Sequence, residues 1–286
     1  MKPTITVVTP SYNQAKFLEE TLKSVLAQRD QIHEYFVLDG GSTDGSADLI
    51  RKYQGGIDWW VSEKDKGQSD ALHRGFARAT GDYLFWLNSD DLLLPGAIAK
   101  VRQALAINPD WDVLTGYHAR IDEHSKITFL YQSPPETPWK FRNGFSRVCQ
   151  QTCYFRRSLY ESVGGVNVDL QCVMDFDLWC KFMRAGAIWG HLPDYLGGFR
   201  WYDATKTSSP AFAAKWQSEH AWAAKQYPEF HRRSVAASLA VNYCRLYEVL
   251  CGRRVRGYFD TRKWKGKSVQ EAFPGIFNPA PSSEPR

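Results

Sequence analysis

The sequence predicts an α/β protein with a mainly parallel sheet flanked by helices, and three observations carry that expectation. Apolar, β-branched runs alternate with segments of helical periodicity along the first hundred residues. Three of those runs end in polar clusters, which in such a sheet fall along one edge. The chain has 286 residues, 43% hydrophobic and 23% charged, the composition of a soluble globular protein with room for one large domain or two smaller units.

Taken in order, TITVVTP (residues 4–10) is an uninterrupted strand of the kind buried on both faces. Leu18, Leu22, Val25 and Leu26 then fall at helical spacing, with Asn13 expected as the N-cap. EYFVLD is a second strand running into GGSTDGS, and SADLIRKY a second helix. The short apolar piece IDWWVSE leads to KDKGQSDALHRGFARAT, whose Ala71, Leu72, Gly75, Phe76 and Ala79 share one face. DYLFWLN is a third long strand, and Pro95 is expected in the first turn of the helix PGAIAKVRQALAI. WDVLTGY reads as a further strand, SPPETPW as a proline-rich connection and RVCQQTCYFRR as a weaker strand candidate. Helices over RSLYESVGG and DFDLWCKFMRAG follow, the second closed by Gly186, then a strand and loop over IWGHLPDYLGGFRWYDATKTSS. Residues 210–251 carry two helical patterns around Pro228.

The formal charge of +5 is local. Between residues 251 and 286 there are eight Lys/Arg against three acids, so the body is neutral and the tail, partly disordered at NPAPSSEPR, is basic. That tail interleaves cations with Tyr258, Phe259 and Trp264 and suits peripheral contact with an anionic membrane; nucleic-acid binding is disfavoured because the excess charge is confined there. Six cysteines lack zinc or compact disulfide spacing, and buried reduced thiols are expected. With neither a signal peptide nor a membrane span, the expected location is cytoplasmic, peripheral at the inner membrane face.

The polar clusters suggest chemistry. Asp39, at a strand end, is placed to accept from a base N–H, with Gly40 and Gly41 letting a flat ring approach; a plain strand–turn–helix link capped by Asp44 or Ser46 is the alternative. Asp90 and Asp91 suit Mg2+ or Mn2+, which take one or two carboxylates plus substrate phosphates. A capping loop explains one of those acids but not both. Asp175 and Asp177 open a helix, where they favour the dipole, and being two apart only one of them is expected to reach a site as a general base. Arg200 and Lys206 are candidates to cover a departing diphosphate, and His73 and His191, without metal-ligand spacing, read as structural.

Together TVVTPSYNQAKFLEETLKSVLAQ, VLDGGSTDGS, EKDKGQSDALHRGFARATGDYLFWLNSDD and MDFDLW resemble, in order and spacing, the family 2 glycosyltransferases over residues 4–207. The resemblance implies a GT-A fold, a mixed, mainly parallel, Rossmann-like sheet flanked by helices. It divides the chain into a catalytic domain over 1–207 (nucleotide half 1–105, acceptor half 106–207), a helical extension over 208–250 and the basic tail over 251–286. It implies an inverting, metal-dependent transferase of the hexosyl type, moving a sugar from a nucleoside-diphosphate sugar to a glycan or lipid-linked acceptor in polysaccharide or glycoconjugate biosynthesis. A non-catalytic nucleotide-sugar or glycan-binding module on the same fold is the alternative. A nucleotidyltransferase would carry a Gly-rich, basic loop after the first strand, which PSYNQ lacks.

Carried across residue by residue, Pro10, Tyr12, Asn13 and Asp39 line the nucleoside pocket. Asp70 lies by the ribose or diphosphate, and Ser89-Asp90-Asp91 stands for the metal motif, with Asp90 and Asp91 as ligands of Mn2+ or Mg2+. Asp175 is the catalytic base. The chain departs from the family pattern at Asn88 (an acid in many relatives), at Leu72-His73 (Arg-Asn), at Met174 (Glu) and at Tyr202 (often His).

Overall fold

The structure, a computed structural model, describes residues 2–143, 146, 148–203, 205–206, 209–230 and 253–274. The first half is a run of βα units. It comprises β1 (Ile5–Ser11), α1 (Ala15–Leu26), β2 (Glu34–Asp39), α2 (Ser46–Tyr53), β3 (Trp59–Ser62), α3 (Gln68–Arg78) and β4 (Tyr83–Trp86). The short β5 (Leu92–Leu93) and α4 (Ala97–Ile107) follow. The second half holds β6 (Val113–Ile121), β7 (Ile127–Tyr131), α5 (Pro138–Arg142), β8 (Tyr154–Arg156), α6 (Arg157–Ser162), α7 (Met174–Arg184), β9 (Trp189–Arg200) and α8 (Ala213–Gln226). Two further helices, α9 (Arg253–Trp264) and α10 (Val269–Ala272), come from the basic segment.

Among the described residues all nine strands join one sheet, ordered β3-β2-β1-β4-β8-β6-β9-β5, with β7 paired to β6. The β1–β2, β1–β4 and β2–β3 pairs are parallel, in registers that set Ser11 beside Asp39 and Asp39 beside Ser62. The polar clusters therefore share one edge because the strands run the same way. Every residue of β1 is buried, since helices cover both faces. On one face Leu18, Leu22 and Val25 of α1 pack with Ile5, Val7 and Val101. On the other, Leu72 and Phe76 of α3 and Leu178 and Phe182 of α7 pack with Val8, Phe36 and Trp86. Each such aliphatic side chain contributes about 1.5–3 kcal/mol by leaving water.

Several local expectations change. Asn13 does not cap α1: its backbone is left-handed (φ 51°), and the amide of Ala15 is instead accepted by Asp44 at 2.8 Å, from the loop after β2. A single aspartate thus ties two strand-end loops together. Pro95 precedes the α4 cap, Gly96 (φ 71°), so the helix begins two residues after the proline. The third strand is short, because the chain turns after Trp86 into the acidic loop and returns through β5 to pair antiparallel with β9 at Gly197 and Gly198. RVCQQTCYFRR is a 3-10 turn, Gln150–Thr152, followed by three residues of strand.

The second of the two helical patterns around Pro228 lies mainly outside the described residues, while the first is α8. Part of the basic segment is folded. Along α9, Gly257, Thr261 and Trp264 face β7, and the Thr261 hydroxyl accepts from the Leu130 amide at 3.0 Å. Val269 of α10 is fully buried against the β6–β7 extension. Among the described residues no helix is long and apolar enough to cross a membrane.

Candidate active site

Two neighbouring regions at the carboxyl edge of the sheet hold most of the residues that the sequence singles out. The first is built from the loops after β1, β2 and β3. Asp39 is buried, and its carboxylate accepts from the amide (2.9 Å) and hydroxyl of Ser42 and from the Ser62 hydroxyl at 2.6 Å. Asn13 donates its amide to Ser42 Oγ at 2.8 Å and accepts at Oδ1 from Thr43 N at 3.0 Å. Pro10 is buried in β1, whereas the Tyr12 ring stands 63% exposed above this loop. A Cβ on Gly40 would lie 3.0 Å from the Asp65 carboxylate, a tight contact that the Asp65 side chain would have to yield to. Asp70 sits in the first turn of α3, where it accepts weakly from Lys66 N at 3.3 Å.

The second region is a cavity of about 330 Å3, with Asp175, Lys206, Asn88, Gln151, His118 and Phe199 in its wall. Trp86 lies in the same wall, at the end of β4. Asp175 lies at the start of α7, where its Oδ1 accepts from Phe176 N at 2.7 Å; burial raises its carboxyl above the usual range. Asp177, as helical spacing requires, points away, to Lys181 at 2.8 Å and to the Tyr227 hydroxyl. Lys206 donates to Gln68 Oε1 at 2.8 Å, and Gln68 in turn donates to Asn88 at 2.7 Å. Burial lowers the Lys206 ammonium below its usual value.

Between the two regions stands the acidic loop, and its two aspartates differ. Thr21 of α1 holds the loop by donating to the carbonyls of Ser89 (3.0 Å) and Asp91 (2.8 Å). Ser89 is thereby buried as a backbone anchor. Asp91 is also buried, and its carboxylate accepts from Arg200 N (2.8 Å), Gln151 Nε2 (2.6 Å) and Asn88 Nδ2 (3.2 Å). Asp90 is half-buried and accepts from the Tyr202 hydroxyl at 3.1 Å. Burial raises both carboxyls, and the charge of Asp90 pushes Asp91 further.

A divalent cation bound with substrate phosphates needs only one or two protein carboxylates. The donor set fits such an ion through Asp90. Asp91, expected as the second ligand, is already engaged by three protein donors. Among the described residues no group of three or more acids, histidines or cysteines forms a closed metal cage.

Arg200 is also displaced from its expected role. It is fully buried, with Nε on the Asp90 carbonyl (2.7 Å), Nη1 on Asp122 O and Ser125 Oγ, and Nη2 on Glu20 (2.8 Å). A guanidinium so occupied holds the acidic loop and leaves no arm for a diphosphate. Lys206, by contrast, is in the cavity wall.

Other site groups escaped the sequence reading. Tyr202, which stands where histidine is often found, links Asp90 to Gln14 of the first loop at 3.3 Å. His118 lines the cavity with a buried, unpartnered Nδ1; burial, then the charge of Arg120, pushes its pKa down to about 3, so it is neutral. Glu219 of α8 accepts the amides of Gln171, Cys172 and Val173 at 2.8–3.2 Å, immediately before α7. Burial pushes the Glu219 carboxyl up, but these amides more than offset it and leave it below its ordinary value.

Residues 6–164 match the family described as Glycosyl transferase family 2, more than half of the chain. The chain belongs to glycosyl transferase family 2. An uncharacterized glycosyltransferase of Mycobacterium tuberculosis is 33% identical over 175 residues, 60% of this family 2 chain and 66% of that protein, so the match spans just under two thirds of its length. A PGL/p-HBAD biosynthesis glycosyltransferase of Mycobacterium bovis is 27% identical over 188 residues, 61% of this chain and 68% of that one.

Among solved structures, S. aureus TarS 1–349 in complex with UDP-GlcNAc superposes with a TM-score of 0.60 at 18% identity, covering 74% of this chain and 64% of that one. The mannosyltransferase PcManGT from Pyrobaculum calidifontis, in complex with GDP-Man and Mn2+, gives 0.53 at 18% identity over 96% and 86%. The fold of this family 2 chain is accordingly the GT-A type.

Proposed function

We propose that this chain is an inverting glycosyltransferase that moves a sugar, of hexose type, from a nucleoside-diphosphate donor to an acceptor hydroxyl in glycoconjugate or polysaccharide assembly. The observation that carries the reading is the contrast among carboxylates. Asp39 and Asp91 are satisfied by protein donors, whereas Asp90 and Asp175 keep capacity for substrate. The names of the M. bovis relative and of the two solved structures support the nucleotide-sugar donor and the glycoconjugate setting.

In this reading the nucleoside lies over Pro10, Tyr12, Asn13 and Asp39, and the diphosphate runs past Asp70 and Ser89 towards Asp90. Asp90 is the residue that would hold Mn2+ or Mg2+, which when bound offsets charge on the leaving diphosphate. Lys206 is placed at the same charge from the cavity wall. Asp175 takes the proton of the acceptor hydroxyl as its oxygen bonds to the anomeric carbon and the carbon–oxygen bond to the diphosphate breaks on the opposite face. One displacement inverts the anomeric centre. Burial raises the Asp175 pKa and so makes it a stronger base than an ordinary carboxylate, provided the pH keeps it ionised.

The test is release of nucleoside diphosphate from UDP-, GDP- and dTDP-sugars with Mn2+ and a panel of glycan and lipid-linked acceptors. Turnover abolished by Asp175→Asn supports the reading. Metal-dependent nucleotide binding with no turnover on any acceptor defeats it in favour of a binding module.

The outer face of α9 extends the reading to a membrane surface. Tyr258 (59% exposed) and Phe259 (60%) stand beside Arg262 and Lys263, opposite the face that packs on β7. Such an aromatic and cationic face suits the boundary of an anionic bilayer. Vesicle flotation with Tyr258→Ser/Phe259→Ser tests it; binding to phosphatidylglycerol vesicles that survives both changes rejects it.

A further inference from the structure

The extension formed by β6, β7 and the end of β9 has two unlike faces. One carries Ala119, Ile121, Ile127 and Leu130 and is covered by α9 and α10. The other meets the cavity at His118 and Phe199, and the rest of it has no part in the chemistry so far described. Strand register places Tyr131, His118 and Gly197 side by side in one row, and Phe129, Arg120 and Phe199 in the next.

The rings in those rows touch. His118 stacks on Tyr131 with centroids 4.6 Å apart and planes 10° from parallel, and Phe129 meets Tyr131 at 4.4 Å. At the end of β9, Phe199 meets Trp201 edge-on at 5.8 Å, and Trp201 is 41% exposed. In the midst of these rings lies Arg120, 5.9 Å from the Tyr131 ring centre. Its Nε donates to Thr128 Oγ1 at 3.1 Å, and among the described residues no carboxylate pairs with its guanidinium.

This face is continuous with the cavity. His118 and Phe199 belong both to the ringed rows and to the cavity wall that holds Asp175. Gly197 completes the junction: a Cβ there would lie 2.3 Å from the Gln151 carbonyl, so only glycine lets the Gln150–Thr152 turn rest against the sheet.

We infer that the Arg120–Tyr131–Phe199–Trp201 face is an acceptor shelf for a ring-bearing acceptor with an anionic group, a carboxylate or a phosphate, next to the hydroxyl that receives the sugar. The inference rests on the transferase reading for the position of Asp175 and adds the acceptor's chemistry. Aromatic side chains offer flat apolar surfaces to a sugar or aryl ring. Arginine pairs with carboxylate or phosphate through two parallel N–H bonds, and stays charged at any working pH. Neutral His118 beside it accepts or donates one hydrogen bond without competing for the anion.

Three probes decide it: phenyl β-D-glucuronide, phenyl phosphate and neutral phenyl β-D-glucoside. Each is titrated against the full chain by ligand-observed NMR, with UDP, GDP and dTDP, each with Mg2+, titrated calorimetrically on the same samples. At least one anionic probe should bind about tenfold tighter than the neutral one, the size of a charge-assisted pair. Arg120→Gln should erase that margin, and Trp201→Ala, at an exposed strand end, should weaken all three probes. UDP binding should stay unchanged in both variants. Tighter glucuronide assigns the anion to an acidic sugar, and tighter phenyl phosphate to a phosphate-bearing acceptor. Equal binding of all three, no binding, or a margin that survives Arg120→Gln overturns the shelf. Failure of UDP, GDP and dTDP alike to bind, with the probe margin intact, would instead break the donor reading and leave the shelf standing.

Discussion

The edge made by Asp39, Ser42 and Asn13 and the cavity around Asp175 are built by opposite means. At the edge, polar loop residues satisfy one another over short range, in a frame of parallel strands that leaves little to adjust. In the cavity, parts from distant segments meet: α7, the Gln150–Thr152 turn, β6, the end of β9 and the loop carrying Lys206. The first region is a fixed cradle. The second depends on several elements staying docked, and holds its key carboxylate under-partnered. Damage to the cradle should therefore show in binding, and damage to the cavity in turnover.

The largest expected effect is at Asp175. Asp175→Asn should lower kcat by about 10²–10⁴-fold, the usual worth of a positioned general base. Its nucleotide affinity by calorimetry should be that of the native chain; equal losses in both would erase the contrast. Next come the twin aspartates. Asp90→Asn should cost about 10²-fold in turnover and remove the response to Mn2+, as loss of one charge-stabilising group does. Asp91→Asn should keep that response, measured as activity against Mn2+ concentration, because Asp91 faces Gln151, Asn88 and Arg200.

Glu219→Ala is expected to be intermediate. It orphans amides of Gln171, Cys172 and Val173, costing about 1–3 kcal/mol. Melting temperature should fall, and kcat should fall more than UDP affinity. Melting without any change in kcat would mean that α8 does not position Asp175.

Two pH effects follow, both smaller. A base must be ionised, so turnover should decline on the acid side, with the limb displaced above an ordinary aspartate because burial raises Asp175. A limb at the ordinary aspartate position would remove the desolvated base. For Asp91 the folded pKa also lies above the unfolded one, so the folded state binds the proton more tightly. Stability is then lost as pH rises from the unfolded value through the folded one. Asp91→Asn should lose less melting temperature between pH 4 and 8 than the native chain; parallel curves would refute the shift.

The same division explains what could be read from the chain alone. β1, β2, α2 and α3 announce themselves through local periodicity, and the strand-end clusters follow from parallel topology. Helical geometry says that only one of Asp175 and Asp177 reaches a site, and the choice of Asp175 comes from the family resemblance. Asp44 reaching Ala15, Gln151 reaching Asp91 and Glu219 reaching Val173 span 29, 60 and 46 residues and leave no local signal. Arg200 misled for a related reason. Beside glycines and a Ser/Thr-rich stretch it looked like a loop cation, yet β9 continues to that residue and turns the side chain inward. His118 gave one faint cue, alternation with Arg120 along a strand, which points to a shared face and to nothing more.

One consequence attaches to Glu219. The match to the family ends at residue 164, before α7 begins and 55 residues short of this glutamate, although the motif resemblance runs on to residue 207. Yet the turn that presents Asp175 is tied to α8 through that carboxylate. The unit of likeness and the unit of work are different lengths. A fragment trimmed to the matched stretch would keep the loops around Asp39 and lose both Asp175 and the carboxylate that holds its turn.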